Sequence, residues 1–527
     1  MAQSCPKRQF LSLDVKIDSL LLKGFSILLN TYLPMSEQKN LKQKAVAGMV
    51  WTALQKYSTM LIRFISGIVL ARLLTPYDYG CIGMLAIFMT LAESFIDGGF
   101  GSALIQKKQP TQEDYSTIFF WNLGMAVLLY AVLYFSAPAI AGFYNIPLLS
   151  DVLRVQGIIL FIYAFNIVQY NQLRKKLNFK ILSKVAISTS IISLTITIIM
   201  AYHGYGVWSL VAQNILSALI PAFVFWFYIK WRPILIFSRK SFKELFSFGF
   251  YIFMNNLFVM FSQQIQGLLI GKFYNPMIMG YYSRARSTGN LASLSISQIL
   301  SQVTFPLYSE VQDDKHRMVN ILNSLTGIIA YLTFPLMLVL ILVAKPLFVL
   351  LYSDRWLESV PYFQILCLVG LGTCLQAVNL QTIFAIGKSR TLFIWSILKQ
   401  SIGLVLMIGG LIAFGIYGLL YGAVIHSWTC TLINMYLVEK YIKHDLKMQL
   451  WNLFPIAALT LIAFFTSYLI CKNLNLGLYT IGVIKFSIFT AIYMGWSVLF
   501  KPRPFFVLKT LVVSKLNNKR KHGTISV

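Results

Sequence analysis

Hydrophobic positions fall in long, nearly unbroken runs separated by short polar stretches. A helix that crosses a bilayer needs about 20 mostly apolar residues. About fourteen runs meet that length: near 48–73, 79–98, 116–142, 152–170, 181–202, 206–229, 245–271, 277–305, 319–344, 359–385, 391–414, 417–438, 451–471 and 477–499. A membrane β-barrel would show alternating segments of about ten residues instead. The pattern predicts an all-α integral membrane protein with about fourteen transmembrane helices. The connections are short and leave no room for a catalytic domain outside the membrane.

Composition agrees and excludes a soluble globular enzyme. Of 527 residues, 57% are hydrophobic and 12% charged, against about 25% charged in a soluble domain. Mean hydropathy is +0.69. The net charge of +28 would suggest nucleic acid in a soluble chain. In a membrane protein it first reports topology, because Lys and Arg collect in cytoplasmic loops. Alternate connections hold Lys107 and Lys108; Arg174, Lys175 and Lys176; Arg239, Lys240 and Lys243; Lys388 and Arg390; Lys440 and Lys443; and a basic tail. The opposite connections hold only Lys272, Lys345, Arg355 and Lys472. This asymmetry predicts an even number of spans, both termini in the cytoplasm and no nucleic-acid partner.

Residues 1–34 do not fit the plan. Asp14, Lys16, Asp18 and Lys23 interrupt the apolar positions, so there is no clean signal-peptide core. The segment reads as a non-native or disordered extension before Met35, or as an amphipathic surface segment. The rest divides into an N-terminal lobe (44–230), a C-terminal lobe (244–442), an appended helix pair (448–500) and a basic tail (501–527). The lobes echo each other. "ISGIVLARLLTPYDYG" (65–80) aligns without a gap to "IQGLLIGKFYNPMIMG" (265–280), keeping Ile65/Ile265, Gly67/Gly267, Pro76/Pro276 and Gly80/Gly280. An offset of 200 residues covers six spans, so the two copies run in the same direction across the membrane. Parallel repeats of this kind occur in secondary transporters, with the transport path between the halves.

Charges inside spans are costly and are functional candidates. Thr52, Lys56, Thr59, Arg63 and Ser66 follow i, i+4, i+7, i+11 and i+14, one stripe of a helix. The equivalent span presents Asn256, Gln263 and Gln266. Arg284 follows in the next span; Arg286, two residues on, points to another face. The expectation is a cationic cavity for an anionic substrate, with Lys56, Arg63 and Arg284 as its charges. Thr52, Thr59, Ser66, Asn256, Gln263 and Gln266 are its polar lining, and Arg154 and Lys399 secondary candidates. The competing reading is contact between helices, with snorkelling near the ends. Glu93 and Asp97 are expected to pair with nearby basic residues.

No catalytic, cofactor or metal constellation appears. "TIFAIGKSR" (382–390) resembles the end of a phosphate-binding loop but has Thr382 at the first glycine and lies in a turn between spans. The five histidines are dispersed, and Cys5, Cys81, Cys367, Cys374, Cys430 and Cys471 form no metal-binding pattern. A non-enzymatic protein is expected.

"LARLLTPYDYG" (70–80), "DGGFGSALIQKKQPTQEDYSTIFFWN" (97–122), "YYSRA" (281–285), "FPLYSEVQDD" (305–314) and "FPLMLVLILVAKPLFVLLYSDRWLESVPYFQIL" (334–366) resemble bacterial polysaccharide exporters. This is the Wzx-like polysaccharide transporter family of the multidrug/oligosaccharidyl-lipid/polysaccharide flippase superfamily, near its colanic acid and teichuronic acid exporters. The resemblance implies two lobes and alternating access. It also implies an undecaprenyl-diphosphate-linked oligosaccharide carried across the bacterial inner membrane for surface polysaccharide such as lipopolysaccharide or exopolysaccharide. It brings proton or sodium as possible coupling ions and a polysaccharide polymerase as a possible partner. The alternative is a cation-coupled multidrug or small-molecule antiporter of the same superfamily; a basic cavity disfavours cationic drugs.

Overall fold

The computed structural model describes residues 35–311, 314–474 and 476–506. The expectations for 1–34 and for the tail beyond 506 lie outside the described residues. Among the described residues the chain is helical, with no strand. The first half contains α1 (Met35–Leu73), α2 (Pro76–Asp97), α3 (Phe100–Gln106), α4 (Gln112–Tyr144), α5 (Leu148–Gln156), α6 (Ile159–Lys175), α7 (Phe179–Tyr202) and α8 (Val207–Tyr228). The second contains α9 (Arg239–Phe273), α10 (Pro276–Glu310), α11 (Lys315–Leu342), α12 (Ala344–Tyr352), a 3-10 turn (Asp354–Trp356), α13 (Ser359–Ala385) and α14 (Ser389–Ile442). The final pair is α15 (Leu446–Lys472) and α16 (Leu478–Phe500).

Among the described residues, eleven helices are long and apolar enough to cross a membrane, against an expectation of about fourteen. The difference has physical causes. One of the eleven, 391–442, joins two limbs across non-helical backbone at Phe414 and Gly415. The helices α1 and α10, which carry Arg63, Arg284 and Arg286, are not among them, because polar and charged side chains interrupt their apolar runs.

The sequence repeat becomes a repeat of local structure. Thr75 caps α2 by accepting from the Asp78 amide, Asp78 accepts in return from the Thr75 amide at 2.9 Å, and Pro76 fills the first turn. Asn275 caps α10, accepting from the Ile278 amide at 2.9 Å, with Pro276 in the same place. Each cap satisfies amides that the first turn leaves unpaired, and proline fits there because its missing N–H is not needed.

The halves meet most closely where α2 crosses α10. A Cβ on Gly80 would lie 1.8 Å from the Pro276 carbonyl oxygen, and one on Gly280 would lie 1.8 Å from the Pro76 carbonyl oxygen. Only glycine permits this approach, and the contact is reciprocal, as two parallel copies require. A second approach closes the far end of α2. There Gly98 and Gly99 take positive φ (53° and 78°) between α2 and α3, and a Cβ on Gly99 would sit 2.1 Å from the Gly249 carbonyl oxygen of α9.

Gly80→Ala therefore forces the α2–α10 crossing apart and destabilises the protein by about 1–3 kcal/mol, the usual cost of overpacking. Cys81, the next residue, is fully buried. In a chain keeping Cys81 as its sole cysteine, maleimide labelling should accelerate several-fold in Gly80→Ala. Unchanged labelling and an unchanged melting temperature would contradict the crossing.

Candidate functional site

A cavity of about 430 Å³ lies between α1, α2, α9 and α10, next to the crossing. Its charged and polar lining is Arg63 from α1, Gln264 from α9, and Ser283, Arg286, Ser287 and Asn290 from α10. Gly83 and Ala86 of α2 supply small walls. Arg286 is steered by its Nη2, which donates to the Gln263 carbonyl at 2.8 Å. Its spacing to Ser283 and Asn290 puts all three on one face of α10. Two guanidinium groups, an amide pair and two hydroxyls, with no carboxylate among the described lining residues, form a receptacle for an anion.

Arg63 lines this cavity, and Arg284 does not. The Arg284 guanidinium lies over the rings of Tyr79 at 4.2 Å, Tyr352 at 5.0 Å and Trp356 at 5.1 Å. Its residue is 6% exposed, and its Nε and Nη2 are buried without a hydrogen-bond partner. Three ring faces replace a counter-ion. The box is tied shut by the Trp356 indole, which donates to the Ala71 carbonyl at 2.8 Å, and by Arg72 Nε, which donates to the Leu351 carbonyl at 3.1 Å.

The other expected positions scatter. Lys56 is half-buried on the stripe and is not among the residues lining the cavity. Thr52 and Thr59 return their hydroxyls to their own helix, to the Gly48 and Gln55 carbonyls at 2.8 Å each. Ser66 faces α8, accepting from Gln213 at 3.4 Å. Gln263 contributes its carbonyl to Arg286, and its neighbour Gln264 is among the lining residues. Gln266 is occupied within the second half, donating to Met407 Sδ at 3.1 Å and accepting from the Tyr282 hydroxyl. Arg154 stays on α5, where Nε donates to the Tyr134 carbonyl at 3.4 Å and the guanidinium stacks on that ring. Lys399 is buried in α14 and donates to Asn434 at 2.9 Å.

Asn256 belongs to a second cavity of about 250 Å³, with Glu93, Ser94, Asp97 and Tyr163. Glu93 and Asp97 were expected to pair with basic residues; neither is in any of the ion pairs of the described residues. Asp97 instead accepts from the Gly101 amide at 3.3 Å. An ionic cluster closes this end: Lys107 bridges Asp114 at 3.1 Å and Glu244 at 3.0 Å, linking α4 to α9. Burial acts to lower the Lys107 pKa, but the Glu244 and Asp114 carboxylates outweigh it and hold the ammonium above its ordinary range.

A family model described as "Polysaccharide biosynthesis protein" matches residues 69–361, more than half of the chain, and its span takes in Tyr79, Gly80, Arg284 and Arg286. The chain belongs to this polysaccharide biosynthesis protein family. Among its relatives is the teichuronic acid biosynthesis protein TuaB of Bacillus subtilis (strain 168), 26% identical over 68% of this chain and 74% of that one. The lipopolysaccharide biosynthesis protein WzxC of Escherichia coli (strain K12) is 21% identical over 63% of this chain and 68% of that one. In fold, the chain is similar to the lipid II flippase MurJ in an inward closed conformation (TM-score 0.71, 17% identity, 86% of this chain and 98% of that one). It also resembles an inward-facing multidrug resistance MATE family transporter of the MOP superfamily (TM-score 0.57, 15% identity, 78% and 98%).

The sign of the cavity in this family member can be measured directly. Ser287 is exposed and lines it. A Ser287→Cys variant should react faster with an anionic than with a cationic methanethiosulfonate, relative to a free thiol. Adding Arg63→Gln and Arg286→Gln should remove the preference. An equal or reversed ratio in the starting variant would overturn the assignment of positive charge.

Proposed function

We propose that this protein is a flippase that carries a polyprenyl-diphosphate-linked oligosaccharide across the bacterial inner membrane for surface polysaccharide biosynthesis. It is a transporter and not an enzyme. The observation that carries this reading is the cavity holding Arg63 and Arg286 between the two halves. A diphosphate can enter a bilayer-spanning path only where fixed cations and donors replace its water. Relatives named for teichuronic acid and lipopolysaccharide biosynthesis support a glycan cargo. The fold shared with a lipid II flippase supports a path of suitable architecture.

The charge asymmetry of the connections supports cytoplasmic termini, with the Lys107 cluster on the same side. The Gly80–Gly280 crossing and the Arg284 box then lie toward the outer side and close the path there. In this conformation the substrate's diphosphate enters from the inner leaflet and is held by Arg63 and Arg286. Exit requires the crossing and the box to part, so the halves alternate about the cavity. The MATE likeness supports the same architecture; the carboxylate-free lining disfavours cationic drugs as cargo.

The test is export in a host deleted for its own exporter, with membrane expression checked. Replacing Arg63 and Arg286 together by alanine should cut surface polysaccharide by roughly tenfold or more, as expected for losing charge-assisted hydrogen bonds of about 1.5–3 kcal/mol. Arg154→Ala should export normally. Wild-type export from the double variant would reject the cavity as the substrate path.

A further inference from the structure

The long helix α14 is a hairpin of two limbs. The chain reverses at Phe414 (φ −134°, ψ 19°) and Gly415 (φ 61°, ψ −144°). The limbs touch through backbone: a Cβ on Gly410 would lie 2.2 Å from the Gly418 carbonyl oxygen, and one on Gly422 would lie 2.5 Å from that of Leu406. Further along, the His426 ring packs on Gly403, where a Cβ would meet it at 2.6 Å. This packing sets a polar cluster between the limbs. Lys399 Nζ donates to Asn434 Oδ1 at 2.9 Å. His426 Nε2 lies 3.1 Å from the Lys399 carbonyl oxygen and 3.2 Å from Cys430 Sγ. His426, Cys430 and Asn434 follow i, i+4 and i+8 on one face.

Ten residues of helix separate Ser389 from Lys399, a depth of about 15 Å at 1.5 Å per residue, near the middle of a hydrocarbon core about 30 Å thick. Lys399 is 9% exposed. An ammonium there is costly and needs a partner: a carboxylate, a carbonyl oxygen, an aromatic face or water. Among the described residues no carboxylate pairs with it.

The surrounding helices bring neutral groups to the hairpin. From α13, Gln376 donates to the Ser427 carbonyl at 2.8 Å and Gly372 accepts from Thr431 at 3.2 Å. From α9 comes Gln266 against Met407, and from α15 Gln449 donates to the Met435 carbonyl at 3.2 Å. Tyr436 packs on Trp395 within the hairpin, at 6.2 Å between ring centres. The titratable groups bonded into the cluster are Lys399, His426 and Cys430.

We infer that Lys399, with His426 and Cys430 beside it, is a proton-exchange site whose occupancy sets the packing of the α14 hairpin. Loss of one proton from Lys399 gives a neutral amine and one proton to water. The amine still reaches Asn434, but the charge that strengthens that bond is gone. The imidazole has a matching pair of states. The imidazolium donates from Nε2 to the Lys399 carbonyl; losing that Nε2 proton to water leaves a neutral ring with hydrogen on Nδ1, whose Nε2 accepts from the Cys430 thiol and releases that carbonyl. Protonation therefore acts on the same contacts that hold the limbs together. As a coupling site this rests on the flippase reading; as a proton site it stands without it.

The experiment uses the full chain in lipid nanodiscs with no substrate. Amide hydrogen exchange of peptides around Phe414 and Gly415 is followed between about pH 6 and 10, bracketing the ordinary His, Cys and Lys ranges. It is corrected for intrinsic exchange and run in potassium and in sodium at equal ionic strength. Wild type should change protection several-fold across the range, identically in both salts. Lys399→Arg keeps the charge but cannot release its proton, so it should fold and lose the part of the response in the lysine range, keeping only the part due to His426. His426→Gln should move its midpoint. A flat wild-type profile, an unaltered response in Lys399→Arg, or protection specific to sodium would overturn the site. None of these outcomes depends on export.

Discussion

The crossing of α2 over α10 is the contact on which the rest of the arrangement depends. Gly80 and Gly280 each leave the other helix's proline carbonyl where a side chain would stand. The contact fixes the register of the two halves at one end, and the neighbouring residues inherit their positions from it. Tyr79, one residue before Gly80, reaches the Arg284 box. Gly83 and Ser283, one turn beyond the two glycines, line the cavity. Seal, box and cavity are successive layers on the same pair of helices.

The cations within the helices show three environments: Arg284 and Lys399 are buried, Arg286 is half-buried and Arg63 is exposed. Arg284 is stabilised by three aromatic faces and keeps unpaired donors. Arg63 and Arg286 line a cavity of about 430 Å³. Lys399 relies on one amide and the tight hairpin around it. The charges on the connections act differently, through orientation in the membrane.

The helical period made the architecture legible before any coordinates. The repeat of Pro76 and Gly80 at Pro276 and Gly280 pointed to the residues that join the halves. The stripe through Arg63 pointed to the cavity. The choice between Arg284 and Arg286 was not legible, because they lie on different faces and the crossing decides which face looks inward. The row Ser283, Arg286, Asn290 was the available signal, a polar face at i, i+3 and i+7. Ser66 and Gln266 fitted the stripe by spacing, but Gln213 and Met407, distant in sequence, claim them. Likewise, spacing marked Lys399 as a secondary candidate, and its partner Asn434 lies 35 residues away.

The central claim is that Arg63 and Arg286 bind the diphosphate of a lipid-linked glycan in the cavity between the halves. Native mass spectrometry of the purified protein with undecaprenyl diphosphate and undecaprenol, added in equal amounts, tests it most directly. The account predicts preferential retention of the diphosphate by wild type, and loss of that preference when both arginines are replaced by glutamine. Equal retention of the two lipids by wild type, or an undiminished preference in the double variant, would contradict it.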